Sequence, residues 1–205
     1  MPAKLRKLLE NLTPREKWAL RGGVAVFLLA SAVLGARFYF NATKTVPASG
    51  GEHVEGIIGQ PTLINPVLVS GNEADRDLTT LLFADTLTLA DEYKKSDDLR
   101  SWTIILKKDL RWSDGEPLTS DDLLFTLEII QDAASRSLLF PTWQGVVAER
   151  LSEREIRFTT KTPYAFLADN LRELRPIPQH IFGNIPANNL RLSAYNLEPI
   201  GSGPY

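Results

Sequence analysis

The chain has 205 residues, 43% hydrophobic and 23% charged, which is the composition of a folded globular protein rather than a disordered one. It contains no cysteine, and this excludes disulfides, a thiolate nucleophile and an acylated N-terminal cysteine. Residues 1–53 total +5 and the whole chain −2, which leaves −7 on residues 54–205; such an acidic body repels phosphate backbones, so no nucleic-acid partner is expected.

The N-terminus is basic, with Lys4, Arg6, Lys7, Arg15, Lys17 and Arg21 against Glu10 and Glu16. It leads into an uncharged run, GGVAVFLLASAVLGA, at residues 22–36. A helix over residues 18–40 is about 34 Å long, enough to cross a hydrocarbon core of about 30 Å. Arg21 and Arg37 then fall near the two interfaces, with Trp18 and Tyr39 in the aromatic belts. A retained transmembrane anchor is the expectation. A cleavable signal peptide is the alternative, because Val33-Leu34-Gly35 is a passable cleavage site. A buried core helix fits poorly, since the run has no polar face. The positive-inside bias puts residues 1–17 in the cytoplasm as a basic tail and everything after residue 41 outside.

Residues 41–53, NATKTVPASGGEH, are small and polar and read as a flexible spacer. The body is expected over residues 54–205. A short strand is expected at residues 54–58, closed by Gly59 and Pro61, with Asn65-Pro66 punctuating the loop that follows. Leu78, Leu81, Leu82 and Leu89 recur at helical spacing and predict a helix over residues 74–88. Trp102, Ile104 and Leu106 alternate with less apolar neighbours, a strand of period two. Ser113-Asp114-Gly115 is a turn.

Thr119 or Ser120 caps the next helix, with Asp121 and Asp122 in its first turn and Leu123, Leu127 and Ile130 on one face. Residues 155–160, EIRFTT, alternate as a further strand, and residues 165–174 read as a helix stopped before Pro176 and Pro178. The order is mixed α and β, without a repeat.

Three segments, in this order, resemble family 5 solute-binding proteins, the oligopeptide- and dipeptide-binding components of bacterial ABC importers. They are residues 59–82, GQPTLINPVLVSGNEADRDLTTLL; residues 89–125, LADEYKKSDDLRSWTIILKKDLRWSDGEPLTSDDLLF; and residues 199–205, PIGSGPY. The middle one resembles the family's strand, aromatic strand, basic pair and "WSDG" turn. The last is similar to its "GTGPY" return into the first lobe. About ten to fifteen residues of the usual pattern are expected to be absent before Leu89, and family members run to more than twice this length. The resemblance therefore implies a periplasmic-binding-protein-like type II fold in α/β form, an incomplete first lobe plus a small subdomain, preceded by one transmembrane helix.

It further implies an extracytoplasmic clamp that takes an oligopeptide and docks on ABC permease subunits, without a cofactor or metal. Ligand-facing candidates by this analogy are Asn65 in the first loop, Leu138 and Phe140 after the long helix, and Tyr205. Each has a plainer role open to it: Asn65 as a turn former, the others as packing. A fragment with one wall of the cleft is expected to bind peptide poorly alone. A tethered interaction or sensor module that keeps the fold but not transport is the other reading. An envelope enzyme is disfavoured, because His53 and His180 are the only histidines and neither HExxH, GxSxG nor CxxC occurs.

Overall fold

The computed structural model describes residues 13–42, 54, 56, 58–68 and 71–204. The chain falls into two units, residues 1–55 and 56–205.

Among its described residues the first unit contains one helix, α1 (Pro14–Ala42). Its start is set locally: Thr13 gives both its N–H and its hydroxyl to Glu16 at 2.8 Å, and Pro14 takes the first helical position, where no N–H is needed. At about 1.5 Å per residue it is roughly 43 Å long, longer at both ends than residues 18–40. None of its apolar span is buried within the protein; Trp18, Phe27, Leu29 and Phe38 are all exposed. Of the spacer expected at residues 41–53, residues 41 and 42 belong instead to the end of α1, which continues past the apolar run. The rest of it lies outside the described residues, as does part of the strand expected at 54–58. Of the latter, Val54, Gly56 and Ile58 are not in a strand.

The second unit opens with a loop and then α2 (Glu73–Leu82), capped by the Asn72 side chain, which accepts from the Ala74 N–H. The single helix expected over residues 74–88 is two. α3 (Thr86–Leu89) starts afresh, capped by Asp85. The break has a tertiary cause. The Leu82 carbonyl accepts from the N–H groups of Ser202 and Gly203, at 3.0 and 2.8 Å, and the Thr86 N–H goes to the Leu174 carbonyl at 2.9 Å. Bonds that would have carried the helix forward are thereby made to distant segments.

A four-stranded antiparallel sheet follows, in the order β1 (Ala90–Lys95), β2 (Ser101–Leu106), β4 (Glu155–Thr159), β3 (Val147–Ser152). Trp102, Ile104 and Leu106 are buried on one face of β2, as the period-two pattern requires. Trp102 lies opposite Phe158, and Ile104 opposite Ile156, in the β2–β4 register, so the apolar faces of both strands coincide. Each edge strand carries an irregularity, at Ala90/Glu92 in β1 and Arg150/Ser152 in β3, which disfavours pairing with another chain.

The long helix α4 (Ser120–Gln131) packs on β3 and β4. Leu123, Leu127 and Ile130 are buried, as their spacing predicts. Its cap is Thr119 rather than Ser120. The Thr119 side chain accepts from the first turn and Asp122 accepts from the Thr119 N–H at 2.9 Å, a reciprocal capping box. Ser120 instead ties the helix to the β3–β4 turn, through its N–H to the Glu153 carbonyl at 2.8 Å. Thr119→Ala is expected to lower the unfolding free energy by about 1 kcal/mol, read as a reduced urea midpoint.

After α4 come a 3-10 turn (Ala133–Ser135), α5 (Phe140–Trp143), the β3–β4 hairpin, α6 (Leu167–Glu173) and α7 (Gln179–Phe182). The core gathers Trp143, Phe158, Leu167, Leu171, Leu174 and Ile177 around α4 and the sheet. α6 is shorter than residues 165–174 but stops where Pro176 and Pro178 dictate.

Candidate functional site

The segments that carry the sequence resemblance meet at one place. The Trp112 carbonyl accepts from Gly115, whose φ of +93° suits glycine, and Arg111 bridges to Pro117 to close a tight turn. From this turn Ser113 donates its N–H to the Gly201 carbonyl at 2.9 Å and accepts from the Gly201 N–H at its Oγ, 3.1 Å. Ser202 and Gly203 bind the Leu82 carbonyl, and the Ala84 N–H donates to Ser202 Oγ at 3.1 Å. Chain positions near 83, 114 and 202 are thus fastened to one another.

Two carboxylates complete this junction. Asp122 is 4% exposed and accepts from the N–H groups of Thr119 and Gln179, both at 2.9 Å, and from Trp112 Nε1 at 3.4 Å. Burial raises its pKa above the ordinary value, although the three donors and the nearby His180 pull the other way. Asp114 Oδ2 lies 2.8 Å from His180 Nε2. Its burial pushes the pKa up, but the hydrogen bonds from His180 and the Glu116 N–H, with the charge of His180, outweigh it and the net direction is down. A lowered carboxylate stabilises the folded state above its unfolded pKa, and that stabilisation is lost as pH falls through the folded value. His180→Ala is expected to move Asp114 back up toward the ordinary carboxylate range, visible in a carboxyl-carbon NMR titration. His180, one of the two histidines of the sequence, joins the turn to α7 through this contact.

A cavity of about 200 Å³ lies beside the first loop of the second unit. It is lined by Asn65, Pro66, Asp75, Arg76, Thr79 and Thr80 from the loop and α2, and by Leu139, Glu173 and Arg175. The loop is held from several sides. Asn65 Oδ1 accepts from the N–H groups of Val67 and Leu68, at 3.0 and 3.3 Å, and its Nδ2 donates to Asn196 Oδ1 at 3.0 Å. Ser137 Oγ donates to the Val67 carbonyl at 2.6 Å. Asp75, 1% exposed, takes the N–H and hydroxyl of Thr62 on its two oxygens, at 2.7 and 2.8 Å. These bonds fix one wall of the cavity.

Of the candidates from sequence, Asn65 lines this cavity while also forming the turn, with its oxygen accepting two bonds and its amide nitrogen donating one. Leu138 is 69% exposed and Phe140 half-buried at the start of α5; Leu139 between them is the one that lines the cavity. Tyr205 lies outside the described residues. Arg76, Glu173 and Arg175 went unnoticed in the sequence because charged residues on helix surfaces look like solvated faces. Arg175, placed between a helix end and Pro176, was the single cue. Among the described residues no group of three or more His, Cys, Asp or Glu side chains is arranged to hold a metal ion.

The pattern of bacterial extracellular solute-binding proteins, family 5 Middle, matches residues 86–205. The oligopeptide-binding protein AppA of Bacillus subtilis is 30% identical over 198 residues, covering 89% of this chain and 36% of that protein. The chain thus spans about a third of this curated relative. Among solved structures, the ABC transporter substrate-binding protein CtaP of Listeria monocytogenes superposes with a TM-score of 0.65 at 31% identity, over 73% of this chain and 32% of CtaP. B. subtilis AppA in complex with a nonapeptide gives a TM-score of 0.65 at 29% identity, over 72% of this chain and 32% of AppA. The fold is that of type II periplasmic binding proteins, mixed α/β, of which this chain holds a part. With the match covering more than half of its residues, the chain belongs to the bacterial extracellular solute-binding proteins, family 5.

Proposed function

We infer that the chain is the peptide-capturing component of an ABC importer, working on the outer side of the membrane and held there by α1. The observation that carries the reading is the shared sequence and fold with AppA, which was solved with a nonapeptide bound. In this reading an extended peptide lies against the first loop and α2, held largely through its main chain, and hinge closure presents the loaded form to permease subunits. The junction around Trp112 and Gly201 is the rigid base that keeps the wall of the cavity in register. No step of this cycle requires a catalytic group or a cofactor.

Calorimetric titration of the protein, as its gene encodes it, with a mixed peptide library tests the reading. Micromolar or tighter binding is the expected result, and absence of heat with every peptide fraction overturns it. The anchor is tested separately. Alkaline carbonate extraction should leave the protein in the membrane pellet with its N-terminal residues 1–17 still attached; a mature protein beginning near residue 36 would show α1 to be a signal peptide.

A further inference from the structure

The cavity beside the first loop carries two guanidinium groups whose donors are mostly unused. Arg76 gives Nη1 to the Gly71 carbonyl at 3.3 Å, and Arg175 gives Nη1 to the Phe83 carbonyl at 2.9 Å. Neither has another acceptor or an ion-pair partner among the described residues. A guanidinium has five N–H donors in a planar fork, so each arginine is anchored by one bond and keeps the rest available. Of the two carboxylates in the lining, Asp75 has both oxygens bound to Thr62. Glu173, at the last position of α6 and exposed, forms no ion pair with either arginine.

We propose that this cavity is a carboxylate subsite, in which Arg76 and Arg175 take a carboxylate of the bound peptide in charge-assisted hydrogen bonds. The proposal rests on the peptide-binding reading above and adds a charge preference to it. About 200 Å³ suits one carboxylate with a small residue behind it, and is below the roughly 300–1,000 Å³ of pockets that enclose a drug-sized ligand. The cavity therefore takes one residue of a peptide rather than the whole. Paired guanidinium donors match the two oxygens of a carboxylate, and such bonds are about twice as strong as neutral ones. The exposed Glu173 carboxylate in the same lining opposes a bound anion, and the two guanidinium groups must outweigh it. The carboxylate comes either from the peptide C-terminus or from an acidic side chain, and the chemistry of the subsite is the same for both.

The test uses matched peptide pairs on the intact protein: free C-terminus against C-terminal amide, and internal Glu against Gln. The wild type should prefer one carboxylate-bearing member by about 10- to 100-fold, the range for hydrogen bonds to a charged group. The pair showing the preference identifies the source. Arg76→Gln should abolish most of that preference, the loss falling chiefly on the carboxylate-bearing member; Arg76→Lys should restore part of it. Arg175→Gln, which also releases the Phe83 carbonyl, is the second variant. Equal affinity for both members in the wild type, or equal losses for both in Arg76→Gln, overturns the proposal.

A probe independent of peptide transport separates the two readings. In protein labelled with 15N-arginine, N-acetylalanine should shift the side-chain signals of Arg76 and Arg175, and N-acetylalaninamide should not. Shifts without peptide binding would retain the subsite and sink the transport reading; no shift with either compound sinks the subsite.

Discussion

Alanine at Gly201 or at Gly203 is expected to lower the unfolding free energy by about 3 kcal/mol, at the upper end of what overpacking costs. A Cβ at Gly201 would overlap the Leu82 carbonyl oxygen, and one at Gly203 would overlap the Leu81 carbonyl oxygen. The obstructing atoms are backbone at the end of α2, so no side-chain rotation relieves the clash. Moving that backbone would break the bonds from Ser202 and Gly203 to Leu82, and from Ala84 to Ser202. The residue between offers a contrast. Ser202→Ala removes one hydroxyl acceptor without overlap and should cost about 1 kcal/mol. Urea unfolding of the three variants, followed by tryptophan fluorescence, checks the order. Equal midpoints for Gly201→Ala and the unsubstituted protein would contradict the close approach.

Asp122→Ala should be comparably severe, at about 3 kcal/mol. It strands the N–H groups of Thr119 and Gln179 and the indole N–H of Trp112 in a buried setting, each unsatisfied donor costing about 1–3 kcal/mol before relaxation. It also dismantles the capping box of α4. The pH dependence provides a second signature. Burial holds the folded-state pKa of Asp122 above its unfolded value of about 3.9. This contribution to stability is therefore fully present below the unfolded pKa and is lost as pH rises through the folded pKa. Asp122→Asn removes the titration, so its stability relative to the unsubstituted protein should improve as pH rises through that window. A constant difference at every pH would show that Asp122 titrates alike in both states.

The opposite shifts at Asp114 and Asp122 show why neighbouring acidic residues with similar sequence surroundings behave differently. Asp121 and Asp122 are indistinguishable as first-turn residues of a predicted helix. In the fold Asp121 is half-exposed and pairs with Arg150 at 2.6 Å, whereas Asp122 turns inward beneath Trp112. Which of the two faces the core depends on where the hairpin and Gln179 arrive, and neither position is encoded within the helix.

The cavity follows the same division. Asn65 stood out because Asn-Pro is a strong local turn signal, and its turn is present with its own side chain as acceptor. Arg76 and Arg175 are ninety-nine residues apart and met no local criterion. Only the return of the chain after α6 brings Arg175 to the Phe83 carbonyl, and so into the same lining as Arg76.

Local physics, then, was sufficient for β2, for the buried face of α4, for a cap at Thr119 or Ser120 and for the turn at Ser113-Asp114-Gly115. Each depends on a side-chain period or on a cap within a few residues, which short-range sterics and hydrogen bonding determine. The family was also legible, because its motifs sit on those same elements. Tertiary structure alone decided that the helix after Asn72 breaks at Phe83 and that Gly201 and Gly203 must be glycine. It alone decided that Asp122 is buried and that two arginines share a cavity with Asn65. In each case the deciding partner lies more than fifty residues away, or the deciding hydrogen bond is made to a carbonyl that sequence treats as part of an uninterrupted helix.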